Sequence, residues 1–171
     1  MRTQIWMEAC NPTTTWIQGI AILAITVVGL GCQPRDVRPG LWLSGDTVTE
    51  SVTDWTFTDE VDEIFIQTKT WYFLPHSTTI WGAEMGGDFY IGSYGYEGQD
   101  ADKKYWESNV ARNSEATLRI DGKLYAVTVT PVTGARVIGR LDKRYNEKYD
   151  MVDTFGDELP KWWYYRVAQR N

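Results

Sequence analysis

The sequence predicts a small antiparallel β-barrel that carries helices, a mainly β fold of the α+β class. Three observations support this prediction. Six or seven short runs alternate between apolar and polar residues, two segments have helical periodicity, and tight turn signals join most of the runs. The chain has 171 residues, a length that suits a single folded domain. We therefore expect six or seven strands, linked mostly as hairpins, and two main helices.

Two pairs of turn residues divide the centre of the chain into hairpins. Gly86-Gly87 and Asp121-Gly122 each lie between two alternating runs. Such pairs predict tight turns, because the central residues of these turns need positive φ. The predicted strands cover 48–57, 61–68, 77–85, 88–93, 115–120, 123–130 and 161–168. The predicted helices cover 102–113 and 134–149, residues 69–75 are predicted to be a connection or a strand edge, and residues 151–159 are predicted to be a connection.

The first 31 residues are predicted to be an export signal. Trp16 to Leu30 is an apolar run without charge, shorter than the roughly 20 residues of a membrane-spanning helix. Its length fits the core of a secretory signal, and it ends in Gly31-Cys32. Small residues before a cysteine at this place resemble a bacterial lipoprotein signal. An uncleaved N-terminal anchor is the alternative.

The lipoprotein resemblance implies cleavage before Cys32 and attachment of lipid to its sulfur. The domain would then lie on the periplasmic or other extracytoplasmic side of a bacterial membrane. Residues 32–47 are predicted to be a tether and residues 48–171 the folded domain. Cleavage would also remove Cys10, so the mature domain would have no cysteine metal site or disulfide.

The charge and the histidine count exclude two classes of function. The net charge is −6 with no basic block, whereas a nucleic-acid partner needs clusters of Lys and Arg. His76 is the only histidine, and no serine and acid are signalled as partners for a catalytic triad. We therefore expect neither nucleic-acid binding nor hydrolysis, and we expect no metal site.

Three motifs in a fixed order resemble the FMN-binding split-barrel superfamily. They are Gly-Gly-Asp-Phe-Tyr-Ile at 86–91, a helix that carries Trp106 and Asn109, and Leu-Arg-Ile-Asp-Gly-Lys-Leu-Tyr at 118–125. The superfamily includes pyridoxamine-phosphate-oxidase-like proteins and deazaflavin-dependent nitroreductase-like proteins, and the second group is the more similar. The resemblance covers about Val52 to the C-terminus. It implies a split barrel that binds FMN or a deazaflavin, commonly as a homodimer.

The resemblance implies a set of candidate residues for binding a flavin. A flavin phosphate needs cations together with hydroxyl or backbone donors. The candidates for the phosphate are Lys69, Ser77, Thr79, Ser93, Lys103 and Lys104. Trp106 and Asn109 share a helix face, where Trp106 would flank the ring. The alternatives are a solvated helix face, an exposed threonine-rich strand, and a tryptophan that packs the helix on the barrel.

The sequence around His76 differs from that of a typical deazaflavin site. Where those relatives usually carry Gly-Arg-Lys-Ser-Gly, residues 68–76 of this chain retain one lysine and no glycine. Some split-barrel relatives bind haem, which makes His76 a candidate haem ligand. The alternative is that His76 is a hydrogen-bonded turn residue.

Two hypotheses about function therefore remain open. The first is a flavin- or deazaflavin-dependent oxidoreductase, in which the protein positions the ring and the ring carries the hydride chemistry. The second is a non-catalytic envelope lipoprotein that uses the barrel to bind haem, another small molecule or a protein. An export signal favours the second, because a protein exported unfolded must collect its cofactor outside the cytoplasm.

Overall fold

The computed structural model describes residues 40–96, 105–156 and 159–170, which all belong to one compact unit. The strands are β1 (Asp46–Thr47), β2 (Ile64–Lys69), β3 (Pro75–Met85), β4 (Asp88–Gly95), β5 (Glu115–Ile120), β6 (Lys123–Pro131) and β7 (Lys161–Gln169). The helices are a 3-10 helix (Thr56–Glu60), α1 (Tyr105–Arg112), α2 (Ala135–Tyr149) and α3 (Met151–Phe155). The export signal and Cys32 lie outside the described residues. None of the described helices has the length and apolar character needed to span a membrane.

Six of the described strands close into an antiparallel barrel. The order around the barrel is β2, β3, β4, β7, β6 and β5, and β5 pairs again with β2. The short strand β1 adds to β6 in a parallel orientation. This confirms the prediction of a mainly β barrel of six or seven strands with helices.

Both predicted tight turns are present. Gly86 and Gly87 have φ values of 67° and 88° and join β3 to β4. Asp121 and Gly122 have φ values of 47° and 75° and join β5 to β6. Positive φ at both central residues matches the right-handed twist of the paired strands. These local signals set the register of two of the barrel's hairpins.

The barrel interior is filled by alternate residues of its strands. The members of this core that are almost fully buried are Ile64, Ile66, Phe89, Ile91, Leu118, Ile120, Val127 and Val129. Trp55 stacks on Phe89 with ring centroids 5.1 Å apart and belongs to the same core cluster. Successive side chains of a strand point to opposite faces, which is why every second residue enters this core.

A second apolar layer lies between the barrel wall and α2. Leu141 and Tyr145 of α2 are buried against Ala83 of β3 and Tyr164 of β7. The Tyr145 ring meets the Tyr164 ring edge-on at 4.9 Å. The predicted helical stripe of α2 is therefore the face that covers the sheet.

The predicted strand over 48–57 is wrong. The strand pairing ends at Thr47, and a 3-10 helix begins at Thr56. Asp54 Oδ1 accepts from the Thr56 amide at 2.9 Å, and Thr58 Oγ1 donates to the Trp55 carbonyl at 2.7 Å. These local side-chain bonds to backbone favour a turn over a strand ladder.

The predicted connection over 151–159 contains a short helix, α3, and so is wrong for residues 151–155. Asp150 precedes it in the left-handed region, with φ of 44°, and its side chain accepts from the Asp153 amide. A helix of five residues has too few turns for its periodicity to be read from sequence.

Candidate functional site

The site lies where the β3–β4 ladder ends at the pair of Trp81 and Gly92, at the end of the barrel nearest α1. Across the β2–β3 ladder, Thr68 pairs with His76, Ile66 with Thr78 and Ile64 with Ile80. Directly paired residues of antiparallel strands lie on the same face. Because Ile64 and Ile66 face the core, His76 and Thr78 also face inward.

A polar chain connects α1 to this part of the sheet. Asn109 Nδ2 donates to Thr68 Oγ1 at 2.9 Å, and Thr68 Oγ1 lies 3.4 Å from the His76 carbonyl oxygen, to which it donates. Arg112 Nη2 donates to Asn109 Oδ1 at 2.9 Å and to the Lys69 carbonyl at 2.7 Å. These bonds fix α1 beside the strand that carries His76.

A cleft of about 740 Å³ opens between β3, β4 and the start of α1. Its volume lies within the range of about 300–1,000 Å³ that is common for small-molecule sites. The described residues that line it are His76, Thr78, Thr79, Ile80, Trp81, Gly92, Ser93, Tyr94, Gly95, Tyr96, Tyr105 and Trp106. The lining is aromatic and hydroxyl-bearing, and no Lys or Arg belongs to it among the residues that the structure describes.

Two buried polar atoms of the cleft residues have no hydrogen-bond partner in the described structure. They are His76 Nδ1 and Ser93 Oγ. An unsatisfied buried polar group costs about 1–3 kcal/mol. Both atoms belong to residues that line the cleft.

Partial burial favours the neutral form of the His76 imidazole. Burial lowers the pKa of His76 below its ordinary value, because desolvation disfavours the charged form. The ring of Tyr105 lies against it, with centroids 5.1 Å apart and planes 31° from parallel. A neutral histidine retains a nitrogen lone pair that can accept a hydrogen bond or bind a metal.

The two aromatic residues at the start of α1 have different environments. Trp106 is only 4% exposed and meets the Tyr165 ring edge-on at 5.0 Å. Tyr105 is 64% exposed and covers His76. Trp106 therefore holds α1 on the barrel while contributing one wall of the cleft, and Tyr105 offers most of its ring to a ligand.

The structure brings together four of the predicted site residues and separates three others from them. His76, Thr79, Ser93 and Trp106 line the cleft. Ser77 Oγ instead accepts from the Gly40 amide at 2.7 Å, and Asn109 is engaged with Thr68 and Arg112. Lys69 lies at the end of β2 with its ammonium 5.3 Å from the Phe73 ring, outside the cleft.

Lys103 and Lys104 lie outside the described residues. Cleft residues not singled out from the sequence include Thr78, Tyr94 and Tyr105. The alternation of β3 that turns His76 inward also turns Thr78 inward. The alternation of the strand could therefore have identified Thr78 from the sequence. The placement of Tyr105 over His76 depends on the packing of α1 and had no local signal.

No protein-family model and no curated protein matches this sequence. Among solved structures, HutZ, the heme storage protein of Vibrio cholerae, is similar with a TM-score of 0.51 and 8% identity, over 67% of this chain and 86% of that chain. The conserved hypothetical protein Rv2991 of Mycobacterium tuberculosis is similar with a TM-score of 0.50 and 16% identity, over 74% and 86%. A NimC/NimA family protein of Clostridium acetobutylicum has a TM-score of 0.43 and 14% identity, over 64% and 75%. The similarities to HutZ and to Rv2991 show a shared fold, the split barrel.

Proposed function

We propose that this barrel binds a planar, conjugated cofactor in the cleft beside α1, and that haem is the cofactor the described lining suits best. The observation that carries the proposal is the position of His76 in the cleft lining, with a buried Nδ1 that has no partner in the described structure and a pKa that burial lowers. The fold is shared with a heme storage protein, which supports the same ligand class.

The cleft residues fit a haem in two respects. His76 supplies an uncharged imidazole, the most common proximal ligand of haem iron. Tyr105 and Trp106 supply aromatic walls, and the cleft volume suits a ligand of this size. A bound haem would supply a redox-active iron whose behaviour depends on its axial ligand and on the polarity around it. The role that follows for this protein would be to hold the cofactor through His76, with Tyr105 and Trp106 as aromatic walls of the cleft.

Haemin titration of the purified full chain tests the haem proposal. We expect the parent to give a shifted, saturable Soret band, and we expect His76→Ala to weaken binding at least about tenfold, a change of about 1.4 kcal/mol. Ser77→Ala is the matched control, because the Ser77 hydroxyl bonds Gly40 and lies outside the cleft. Equal haemin affinity of the His76→Ala and Ser77→Ala variants, with both folded, would contradict the role of His76.

FMN or a deazaflavin is the second candidate, with the protein acting as an oxidoreductase. The hydroxyls of Thr78, Thr79 and Ser93 in the cleft lining favour it, since they suit a polar ring edge or a phosphate. Lys103 and Lys104 directly precede Tyr105 in the sequence and are the proposed cations for that phosphate. The ring would carry the hydride chemistry.

Comparison of riboflavin with FMN tests the flavin candidate. We expect the combined Lys103→Ala and Lys104→Ala variant to bind riboflavin like the parent and FMN more weakly, because only FMN carries a phosphate. Equal loss of both ligands would remove the phosphate role of the two lysines. A parent that binds neither ligand would remove the flavin candidate and leave haem.

We also propose that the chain is exported and lipid-anchored at Cys32. The support is the apolar run that ends at Gly31-Cys32. Cys32→Ser should abolish labelling by a fatty-acid analogue and change partitioning into detergent. A variant and a parent that partition alike, with no cleavage of either, would contradict the anchor.

A further inference from the structure

An exposed aromatic turn joins β2 to β3 at residues 70–74. Trp71 is 74% and Phe73 is 77% exposed, and Tyr72 and Leu74 are also exposed. Trp42 is exposed and lines a groove of about 270 Å³ together with Phe73. We call this surface the hairpin patch, and its residues are Leu41, Trp42, Trp71, Tyr72, Phe73 and Leu74. A contiguous exposed apolar surface of this kind marks an interaction site.

The turn that carries the patch is a defined structure. The backbone amide and the hydroxyl of Thr70 both donate to the Leu74 carbonyl, at 3.2 Å and 2.6 Å. Phe73 has φ of 68°, in the left-handed region that a bulky residue rarely adopts. Such a conformation costs about 1–3 kcal/mol. The chain thus places an exposed aromatic ring at a position where glycine would be less strained.

Two cations lie beside the patch. Lys69 holds its ammonium 5.3 Å from the Phe73 ring, and Arg112 donates to the Lys69 carbonyl. Glu115 lines the adjoining groove and forms an ion pair with Arg170 at 2.8 Å. In a chain of net charge −6, Lys69 and Arg112 thus place positive charge beside the patch.

The N-terminal chain joins the barrel beside the patch. The Gly40 amide donates to Ser77 Oγ at 2.7 Å, and the Leu43 amide donates to Gln67 Oε1 at 2.6 Å. Seven residues separate Gly40 from Cys32, the residue proposed above to carry the lipid. Seven residues span at most about 25 Å when fully extended. Lipid attached at Cys32 would therefore keep the hairpin patch close to the bilayer, and this step rests on that proposed anchor.

From these four observations we infer that the hairpin patch inserts into the interfacial layer of a phospholipid bilayer and holds the barrel against the membrane surface. Trp and Tyr concentrate at that layer, because each combines an apolar ring with a polar group. Lys69 and Arg112 suit anionic headgroups. A stable protein interface needs about 800 Å² on each partner, whereas the most exposed residues here belong to a single turn.

Quenching by brominated lipid tests the inference on the full chain. The protein is reconstituted into vesicles of equimolar phosphatidylcholine and phosphatidylglycerol, with either ordinary or brominated acyl chains. The emission of Trp71 is obtained as the difference between the parent and Trp71→Phe. We expect brominated lipid to remove most of this emission and aqueous acrylamide to remove little. Trp55 is the reference, because it lies in the barrel core and should resist both quenchers.

The Phe73→Gly variant distinguishes an effect on membrane docking from an effect on folding. The variant removes both the exposed ring and the left-handed strain, so we expect a higher melting temperature together with weaker quenching of Trp71 by brominated lipid. Val152→Ser is the matched control, since it removes an exposed apolar side chain on α3. We expect this control to leave the quenching of Trp71 unchanged.

Two results would overturn the inference. The first is Trp71 emission that acrylamide quenches and brominated lipid does not, which would mean that the patch faces water. The second is Trp71 emission protected from both quenchers, which would mean that protein covers the patch, either a second copy or residues 1–39 of the same chain.

Discussion

The ammonium of Lys148 lies 2.8 Å from the carbonyl oxygen of Gly82 and donates a hydrogen bond to it. The same ammonium donates to the carbonyls of Thr58 and Val61, at 2.6 Å and 2.9 Å. One side chain of α2 thus joins β3, the 3-10 helix and the segment that leads into β2. Burial lowers the pKa of Lys148 to about 8, which leaves it largely protonated at pH 7.

Gly82 needs these hydrogen-bond partners because β3 extends beyond the end of its pairing with β2. The β2–β3 ladder ends at the pair of Ile64 and Ile80, so beyond that point β3 has β4 on one side only. The Tyr149 hydroxyl donates to the Gly82 carbonyl at 2.7 Å and accepts from the Gly82 amide at 3.0 Å. Helix α2 therefore satisfies backbone groups that a neighbouring strand would otherwise bond.

We expect Lys148→Met to lower the free energy of unfolding by about 2 kcal/mol, because three carbonyls lose a charged donor. Chemical denaturation at pH 7 measures this change. Lys143→Met is the matched control on the same helix. Lys143 is 80% exposed and contacts only Glu147 among the described ion pairs, at 3.7 Å. Its loss should change stability by less than about 1 kcal/mol, and equal losses in both variants would contradict the role of Lys148.

Gly122→Val should destabilise the barrel by more than about 1 kcal/mol, because it forces a β-branched residue to adopt positive φ. Gly122 has φ of 75°, and a Cβ added there meets nothing within 4 Å, so the cost arises in the backbone alone. Thermal unfolding compares it with Gly139→Ala in α2, where an added Cβ also meets nothing within 4 Å. That control should stabilise the helix by about 0.5–1 kcal/mol. Two variants that shift in the same direction would refute the backbone argument.

The fold could be predicted where its signals are local. Asp121-Gly122 and Gly86-Gly87 need only their own residues to specify a hairpin. The segment over 48–57 was mistaken for a strand because its apolar residues alternate for another reason. In this segment Trp55 is buried in the barrel core and Asp54 bonds nearby backbone, as does Thr58 just beyond the segment.

The site was harder to predict because it depends on contacts between residues that are far apart in the sequence. Ser77 and Thr79 lie two residues apart on β3, yet only Thr79 lines the cleft, since the segment at Gly40 bonds the Ser77 hydroxyl. Asn109 has the spacing of a ligand-binding residue, but it bonds Thr68, which is 41 residues away. Helix periodicity and strand alternation carry no information about such pairs.

His76 should make the stability of the protein depend on pH below about 6.5, its ordinary pKa. Burial lowers the pKa of His76 in the folded state, so the unfolded chain binds its proton first as the pH falls. Stability from this group is complete above the unfolded value and is lost as the pH falls through the lower folded value. Denaturation of the parent and of His76→Gln across this range measures the effect. We expect the parent to lose more stability on acidification, and parallel curves would contradict a lowered pKa of His76 in the folded state.

Substitutions of Tyr105 and Trp106 should have different effects on ligand affinity and on stability. Tyr105 is exposed and stacks over His76, so Tyr105→Ala should leave the melting temperature nearly unchanged while weakening binding of the cleft ligand. An aromatic contact is worth about 0.5–1.5 kcal/mol, which corresponds to a loss of affinity of about two- to tenfold. Trp106→Ala should instead cost about 3–5 kcal/mol of stability, because it empties a buried position.

Tyr72→Ala is the matched control for the loss of an exposed tyrosine, since Tyr72 lies in the hairpin patch and outside the cleft. Titration of haemin and of riboflavin into each folded variant, together with thermal unfolding, measures both effects. Equal affinity of the Tyr105→Ala and Tyr72→Ala variants for whichever ligand the parent binds would show that Tyr105 does not contact it. The cleft beside α1 would then have to hold its ligand through His76 and Ser93, whose unpartnered atoms lie on β3 and β4.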